Sequence, residues 1–246
     1  MLSRLFRRRA PGAAFPPPRP GAVVEIIGDI HGRADLLEAL PPPEPGAVRV
    51  SVGDYVDRGP ASRQVLDYLH ARTLDDGWIC LRGNHEEMFL DFLDNPAKGL
   101  RWLRFGGRET LASFGVAELP EMPEEEILRG AAQRVVEAMS FDLRDWLRGL
   151  PVLRSFGTLT VVHAGLDPQL PVEAQSESAA IWGHPEFGLY PRADGQWIAH
   201  GHTIVKKPAA RGGVISLDTG AWTTGRLTMA RVAPDGAISF VTAPGG

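Results

Sequence analysis

Five short runs of this sequence end on side chains that can bind metal ions or phosphate. The runs supply Asp29 and His31, then Asp54, Asp57 and Arg58, then Asn84 and His85, then His163, and finally His202. Mixed carboxylate, amide and imidazole ligands suit Mn, Fe or Zn better than a thiolate-selecting site or an all-oxygen calcium site. The guanidinium of arginine is a planar fork that fits phosphate oxygens. The residue types therefore indicate a metal or phosphate site.

Each run taken alone also has a structural interpretation. Asp29 and His31 are two residues apart, so on an extended segment both side chains point to one side and can reach one ion. An Asp-x-His pair can equally cap a helix, and Asp57 with Arg58 can form a structural ion pair in a turn. A catalytic centre requires a fold that brings the five runs together.

The residues that precede the runs favour such a fold. Apolar, β-rich stretches at 23–27, 48–52, 78–81 and 159–162 each lead into glycine and polar residues. This pattern is expected where strand ends deliver side chains to one rim.

The intervening sequence predicts helices between the first strands. Residues 34–40 have helical character and stop at Pro41, and residues 63–72 carry apolar side chains at helical spacing, which together indicate βαβ organisation. Residues 87–150 read as a helical insertion beside the site. The chain then returns to strands, which are predicted at 159–162, 197–199, 214–217, 227–232 and 238–241.

Composition limits the class of protein. The chain has 246 residues and is 43% hydrophobic, which suits one catalytic domain, predicted here as residues 22–246. Residues 1–21 are basic and proline-rich and are predicted to be a disordered tail. The net charge of -4 argues against general nucleic-acid binding.

The single cysteine and the hydropathy pattern bear on location. Cys80 lies in an apolar run and is expected to be a small buried hydrophobe, so no intrachain disulfide forms. The basic start lacks the continuous apolar core of a signal peptide or a spanning helix, and we expect no stable membrane insertion. A cytoplasmic location is therefore predicted.

Considered jointly, the motifs resemble the calcineurin-like metallophosphoesterases, in particular the bacterial and phage serine/threonine phosphoprotein phosphatase branch. The family pattern GDxHG, GDxVDRG, GNHE, HAG and GHT stands here at residues 28–32, 53–59, 83–86, 163–165 and 201–203. The resemblance implies two packed mixed β-sheets flanked by helices, with a helical insertion beside a dinuclear metal site.

The resemblance also implies a role for each residue. Two divalent ions are expected, manganese first, with iron or zinc as alternatives. Their ligands would be Asp29, His31, Asp54, Asn84, His163 and His202, with Asp54 bridging the ions. The nucleophile would be a metal-bridging hydroxide that attacks in line. His85 would protonate the leaving group, Asp57 would orient His85, and Arg58 would hold the phosphate.

Two departures from the family pattern concern the substrate. Ile204 replaces a second histidine that many other metallophosphoesterases carry, which narrows the resemblance to the phosphoprotein phosphatase and dinucleoside tetraphosphatase branches. Gly183 and His184 stand where related bacterial phosphatases place a second phosphate-binding arginine, and His184 or Arg192 is the candidate replacement.

The expected activity is hydrolysis of phosphate monoesters, with phosphorylated serine or threonine in proteins, or a small phosphoester, as substrate. A symmetrical bis(5'-nucleosyl)-tetraphosphate hydrolase is the alternative, because that branch shares the metal ligands. A non-catalytic scaffold is the remaining alternative, and it is disfavoured because no expected ligand is missing.

Overall fold

Short runs of valine, isoleucine and leucine form the strands of two β-sheets. The computed structural model describes residues 15–243. The first sheet contains β1 (Val24–Ile27), β2 (Val48–Ser51), β3 (Ile79–Cys80), β9 (Leu227–Val232) and β10 (Ile238–Ala243). The second contains β4 (Leu153–Phe156), β5 (Leu159–Val162), β6 (Trp197–His200), β7 (Ala209–Arg211) and β8 (Val214–Ser216).

The order of the strands sends the functional loops to one side of each sheet. The first sheet has the order β10-β9-β1-β2-β3, and the second has the order β4-β5-β6-β8-β7. β1, β2 and β3 run parallel, as do β5, β6 and β8. The carboxyl ends of parallel neighbours lie at the same edge, where ligand-binding loops commonly occur.

Apolar side chains hold the two sheets face to face. Alternate residues of the central strands, such as Ile26, Val50, Val161 and Ile215, are fully buried in one core cluster shared by both sheets. The outer face of the first sheet packs against helices in a second cluster, and a smaller cluster covers the outer face of the second sheet. The predicted fold, two mixed sheets flanked by helices, is confirmed.

The helices follow the strands. They are α1 (Ala34–Glu38), α2 (Ser62–Asp76), α3 (Asn84–Asp94), α4 (Gly99–Trp102), α5 (Arg108–Ser113), α6 (Glu125–Ala138), α7 (Phe141–Arg148), α8 (Glu177–Trp182) and α9 (Ala221–Thr224). Helical turns also occur at Pro96–Lys98, Leu103–Gly107 and Val172–Ala174. None of the helices in residues 15–243 is long and apolar enough to cross a membrane.

Two strands have no counterpart in the sequence prediction. β4 and β7 are the edge strands of the second sheet, and most of their side chains are at least partly exposed. An edge strand needs no buried apolar face, so the hydrophobic alternation that predicts strands is absent there.

The predicted disordered tail, residues 1–21, is too long. The ring of Phe15 meets Trp197 edge-on at 5.5 Å between centroids, and the indole N–H of Trp197 donates to the carbonyl of Pro16 at 2.6 Å. The backbone N–H of Arg19 donates to Thr158 Oγ1 at 2.9 Å. Backbone hydrogen bonds and a ring contact thus order this proline-rich stretch on the second sheet. Residues 1–14 lie outside the described part of the chain.

Candidate metal centre

The candidate ligands lie just beyond the carboxyl ends of five strands. Asp29 and His31 follow β1, and Asp54 follows β2. Asn84 begins α3 after β3, His163 follows β5 directly, and His202 follows β6. Although up to 173 residues separate them in sequence, Asp29 Oδ2 accepts a hydrogen bond from the backbone N–H of His202 at 2.8 Å. The fold therefore gathers the scattered runs at one edge.

Asp54 lies at the centre of this arrangement. Among the described residues, one group that could hold a metal ion comprises His31, Asp54 and His85, and another comprises Asp54, His163 and His202. Within each group the potential ligand atoms lie within 4.8 Å of one another. Asp54 is common to both, so its two carboxylate oxygens can serve two neighbouring ions.

Asn84 completes the second group. Its side-chain oxygen lies 2.9 Å from His163 Nε2 and 2.8 Å from His202 Nδ1. One ion placed among these atoms would meet an amide oxygen, two imidazole nitrogens and a carboxylate oxygen, which is a donor set that suits Mn, Fe or Zn.

Asp29 has a buried oxygen without a protein partner. Its Oδ2 bonds the N–H of His202, but its Oδ1 is buried and makes no hydrogen bond to any described residue. A buried carboxylate oxygen without a partner is costly unless a cation or water satisfies it. The orphaned oxygen therefore fits a bound metal ion.

Negative charge accumulates around Asp29. Burial, followed by the nearby carboxylates of Asp218 and Asp54, raises the pKa of Asp29 well above its usual value. Burial also raises the pKa of Glu86 to about 7 and that of Asp218 to about 6. Such a cluster of buried acids repels itself, and divalent cations would offset that repulsion.

The imidazoles are held in the form that binds a cation. Burial lowers the pKa of His31 to about 3 and that of His163 to about 4, so both rings are neutral near pH 7. His31 Nδ1 lies 2.9 Å from the carbonyl of Val56, and His163 Nδ1 lies 3.1 Å from the carbonyl of Val52. Since Nδ1–H donates to these carbonyls, the lone pair of each Nε2 faces Asp54.

His85 is oriented by a buried carboxylate. Its Nδ1 lies 2.6 Å from Asp57 Oδ2, and Asp57 also accepts hydrogen bonds from Trp102 Nε1 at 2.9 Å and Thr110 Oγ1 at 2.7 Å. Burial by itself would lower the pKa of His85, but the charges of Asp54 and Asp57 outweigh it and raise that pKa. His85 can therefore carry a proton on Nε2 toward the site.

Arg58 reaches across both histidines. One terminal nitrogen lies 3.2 Å from His31 Nε2, and the other lies 3.1 Å from His85 Nε2. The backbone N–H of Arg58 donates to the carbonyl of Gly106, and Gly106 leaves no room there for a side chain. The guanidinium is thus fixed beside the candidate ligands, where it can contact phosphate oxygens.

The backbone is strained at the same residues. Among the described residues, five non-glycine residues have positive φ, at 46°, 54°, 74°, 69° and 62°: His31, Asp54, Asp57, Arg58 and His202. Positive φ is uncommon for such residues and often occurs at functional sites. All five carry candidate functional side chains.

Glu86 is a buried residue that the sequence interpretation left without a role. Its carboxylate accepts hydrogen bonds from the backbone N–H groups of Gly83, Asp54 and Tyr55 at 2.9, 2.8 and 2.7 Å. It therefore fixes the loop that carries Asp54. The sequence feature that could have identified Glu86 is its position as the last residue of the motif at 83–86.

Asp218 is a second buried acid near the candidate centre that the sequence interpretation missed. It follows β8 and is buried, and its Oδ1 accepts the N–H of Gly220 at 2.8 Å. An acidic residue directly after a predicted strand repeats the pattern seen at Asp29 and Asp54, and this was the available signal.

The side chain of Arg192 is hydrogen-bonded to residues outside the candidate centre, so it does not replace the absent second phosphate-binding arginine. It is 6% exposed, donates to the carbonyls of Asp167 and Leu170 at 2.9 and 2.7 Å, and pairs with Asp194. His184 Nε2 lies 3.7 Å from Asp167 Oδ2. His184 does not belong to either of the two groups around Asp54.

Comparison with known proteins agrees with this geometry. The sequence profile of the family described as calcineurin-like phosphoesterase matches residues 24–206. An asymmetrical bis(5'-nucleosyl)-tetraphosphatase of Bacillus velezensis is 29% identical over 233 residues, spanning 83% of this chain and 86% of that protein. A symmetrical bis(5'-nucleosyl)-tetraphosphatase of Methylobacillus flagellatus is 26% identical, spanning 89% of this chain and 68% of that protein.

Solved structures share the fold. A putative diadenosine tetraphosphatase superposes with a TM-score of 0.61 at 26% identity, covering 92% of this chain and 95% of that one. A protein serine/threonine phosphatase from Saccharomyces cerevisiae superposes with a TM-score of 0.57 at 16% identity, covering 92% and 80%. At that identity the second similarity concerns the fold alone.

Proposed function

The chain belongs to the calcineurin-like phosphoesterase family, and from this premise we propose that it is a phosphoric ester or anhydride hydrolase that uses two divalent ions on either side of Asp54. The observation that carries the proposal is the membership of Asp54 in both groups of potential ligands. The orphaned Oδ1 of Asp29 supports it.

The proposed ligands divide between the two ions. Asp29, His31 and Asp54 would hold the first, and Asp54, Asn84, His163 and His202 would hold the second. His85 belongs to the first group of potential ligands, but we assign it to proton transfer because its Nδ1 is committed to Asp57 and the charges of Asp54 and Asp57 raise its pKa. Manganese is the proposed native metal, with iron or zinc as alternatives.

When bound, the two ions would acidify a water molecule and neutralise charge on the phosphate. Arg58 would hold the nonbridging phosphoryl oxygens with its two terminal nitrogens and stabilise the charge that grows on them. As the oxygen of water attacks phosphorus, the water releases a proton to solvent, the bond to the leaving oxygen breaks, and His85 Nε2 would give that oxygen its proton. Asp57 would keep the imidazole protonated and aimed at the leaving group.

For the substrate we place a dinucleoside polyphosphate first. Two relatives at 26% and 29% identity, and a solved structure at 26%, carry tetraphosphatase names. The serine/threonine phosphoprotein, which the sequence interpretation placed first, becomes the second candidate, and the motif at residues 53–59 still supports it. The buried, unpaired Cys80 supports a reducing cytoplasm as the location.

A substrate panel tests the proposal. Full-length enzyme with Mn²⁺ should hydrolyse p-nitrophenyl phosphate, and kcat/KM for diadenosine tetraphosphate should exceed that for phosphoserine or phosphothreonine peptides by tenfold or more. Separation of the products distinguishes symmetrical cleavage, which yields two ADP, from asymmetrical cleavage, which yields ATP and AMP. The reverse preference would identify a phosphoprotein phosphatase. Absence of metal-dependent hydrolysis on every substrate would overturn the proposal.

A further inference from the structure

Three large apolar side chains are exposed on segments that adjoin candidate site residues. Phe105, Ile204 and Trp222 are 43%, 49% and 40% exposed, and we call these three residues the apolar rim. Large exposed apolar groups that cluster beside polar functional residues commonly mark a binding surface. The apolar rim is therefore a candidate surface for an apolar part of a bound ligand.

Trp222 contacts the phosphate-binding arginine directly. The guanidinium carbon of Arg58 lies 5.3 Å from the centroid of the indole ring, which is within the range of a cation–π interaction. The nitrogens of the same guanidinium lie 3.2 and 3.1 Å from His31 and His85. An aromatic surface and the reacting centre are therefore neighbours, joined by one side chain.

The short helix that carries Trp222 is firmly attached. Helix α9 is bounded by Gly220 and Gly225, both in the left-handed region at φ 69° and 67°. A terminal nitrogen of Arg33 donates to the carbonyl of Ala221 at 2.9 Å, and Thr224 Oγ1 donates to the carbonyl of Thr219 at 2.8 Å. A fixed backbone keeps the indole in place, so that stacking on it costs little ordering.

The other two rim residues flank the same position. Phe105 precedes Gly106, whose carbonyl accepts the backbone N–H of Arg58 at 3.2 Å. Ile204 packs beside Gly220, since a methyl group built on Gly220 would lie 3.4 Å from Ile204 Cγ2. Phe105 is thus next in the chain to the backbone partner of Arg58, and Ile204 lies beside the glycine at the start of the helix that carries Trp222.

We propose that the apolar rim is the subsite for the leaving group and that Trp222 selects leaving groups with a flat aromatic ring, such as a nucleobase. This inference rests on the proposed function and names the part of the substrate that lies beyond the reacting phosphate. A phosphate held by Arg58 places its substituent within reach of the indole. Stacking of a base on an aromatic side chain contributes binding energy without reading the identity of the base.

Kinetics of Trp222→Ala test the inference. Its kcat/KM for diadenosine tetraphosphate should fall about tenfold, mainly through KM, as expected for the loss of one stacked base. Its kcat/KM for glycerol 2-phosphate, which has no ring, should change less than about threefold, and Trp222→Phe should recover most of the loss. Trp146→Ala is the matched control, because this half-buried indole on α7 packs against the ring of His70, with 5.3 Å between the ring centroids.

Binding measured without turnover separates this inference from the proposed function. In calorimetry with Mn²⁺, wild type should bind AMP about tenfold more tightly than ribose 5-phosphate, and Trp222→Ala should bind the two alike. An equal loss of kcat/KM in Trp222→Ala on substrates with and without a ring would mean that Trp222 acts only through Arg58. That result would overturn the proposed subsite. Equal affinity of wild type for AMP and ribose 5-phosphate would also overturn it, whichever substrates the enzyme hydrolyses.

Discussion

At the scale of single residues, the candidate centre depends on how each side chain is oriented by its neighbours. His31 and His163 are fixed by backbone carbonyls, whereas His85 is fixed by the carboxylate of Asp57. Burial keeps the rings of His31 and His163 neutral, so they can bind a cation, whereas the charges of Asp54 and Asp57 raise the pKa of His85, so its ring can hold a proton. This difference separates the proposed ligands from the proposed acid.

The role of His85 can be tested by varying the leaving group. His85→Ala should lower kcat for alkyl phosphates by about 10² to 10⁴, because an alkoxide leaves poorly without a proton. For p-nitrophenyl phosphate the loss should be within about tenfold, since that leaving group needs little protonation. Both rates and the metal content of the purified variant would be measured.

His70→Ala is the control, since His70 lies in α2, packs on Trp146 and has no part in the proposed chemistry. A His85→Ala protein that loses bound metal along with activity would contradict the assignment, because His85 would then be a ligand, as its position in one of the two groups allows.

Residue types and spacing predicted which side chains meet, but not how the backbone presents them. Asp29, Asn84 and His202 could be named from motifs. The positive φ of Asp54 and Arg58, and the support of Asp54 by Glu86, could not. These features result from tertiary contacts between loops that are distant in sequence, and no local pattern records them.

At the scale of the elements, a buried charge network links the strands of the first sheet through β1, the strand that precedes Asp29. Glu25 of β1 is fully buried and accepts hydrogen bonds from Arg49 of β2 at 2.6 Å and from Arg231 of β9 at 3.0 Å. Burial alone would raise the pKa of Glu25, but the two arginines outweigh it and lower that pKa from its ordinary value. The ionised carboxylate therefore stabilises the fold.

Removal of this charge should be costly near neutral pH. Glu25→Gln leaves Arg49 buried without its partner, and the free energy of unfolding at pH 7 should fall by about 3 kcal/mol. Because the pKa of Glu25 is lower in the folded state, its contribution is present above about pH 4.5 and is lost as the pH falls through the folded pKa. Urea unfolding of both proteins between pH 7 and pH 3 measures this.

The difference between wild type and Glu25→Gln should accordingly shrink toward pH 3. Glu125→Gln removes an exposed i,i+4 pair with Arg129 and should change stability by less than about 0.5 kcal/mol. A Glu25→Gln protein as stable as wild type at pH 7 would contradict the account.

The strands were predicted to different degrees, for a physical reason. β5 and β9 were predicted at their observed bounds, because most of their residues are apolar and buried. β4 and β7 lie at a sheet edge, where exposed residues such as Arg154 and Arg211 are tolerated, so composition does not reveal them. Residues 15–20 were likewise misjudged, because their order comes from contacts with the second sheet.

At the scale of the whole molecule, the buried acids where the two sheets meet repel one another, and bound metal ions would offset this repulsion and stabilise the fold. Asp29, Asp54 and Asp218 are all buried at the edge where both sheets end. A ligand that binds only the folded state at a hundred times its Kd stabilises by about 2.7 kcal/mol. Mn²⁺ should therefore raise Tm by roughly 5 to 10 °C for a chain of this size.

Calorimetry of the metal-free protein with increasing Mn²⁺ measures this shift. Asp54→Asn should lose most of it, because both ions would lose a shared ligand. Glu118→Gln, at an exposed acid, should retain it. An equal Tm with and without Mn²⁺ in wild type would contradict a metal site built into the fold.

The central claim is that two ions share Asp54, and counting the metal in purified protein tests it most directly. After reconstitution with Mn²⁺ and removal of free metal, elemental analysis should find two ions per wild-type chain. Asp54→Asn should retain less than one and should lose hydrolysis of p-nitrophenyl phosphate. One ion or none in active wild type, or two ions in an active Asp54→Asn protein, would contradict the account.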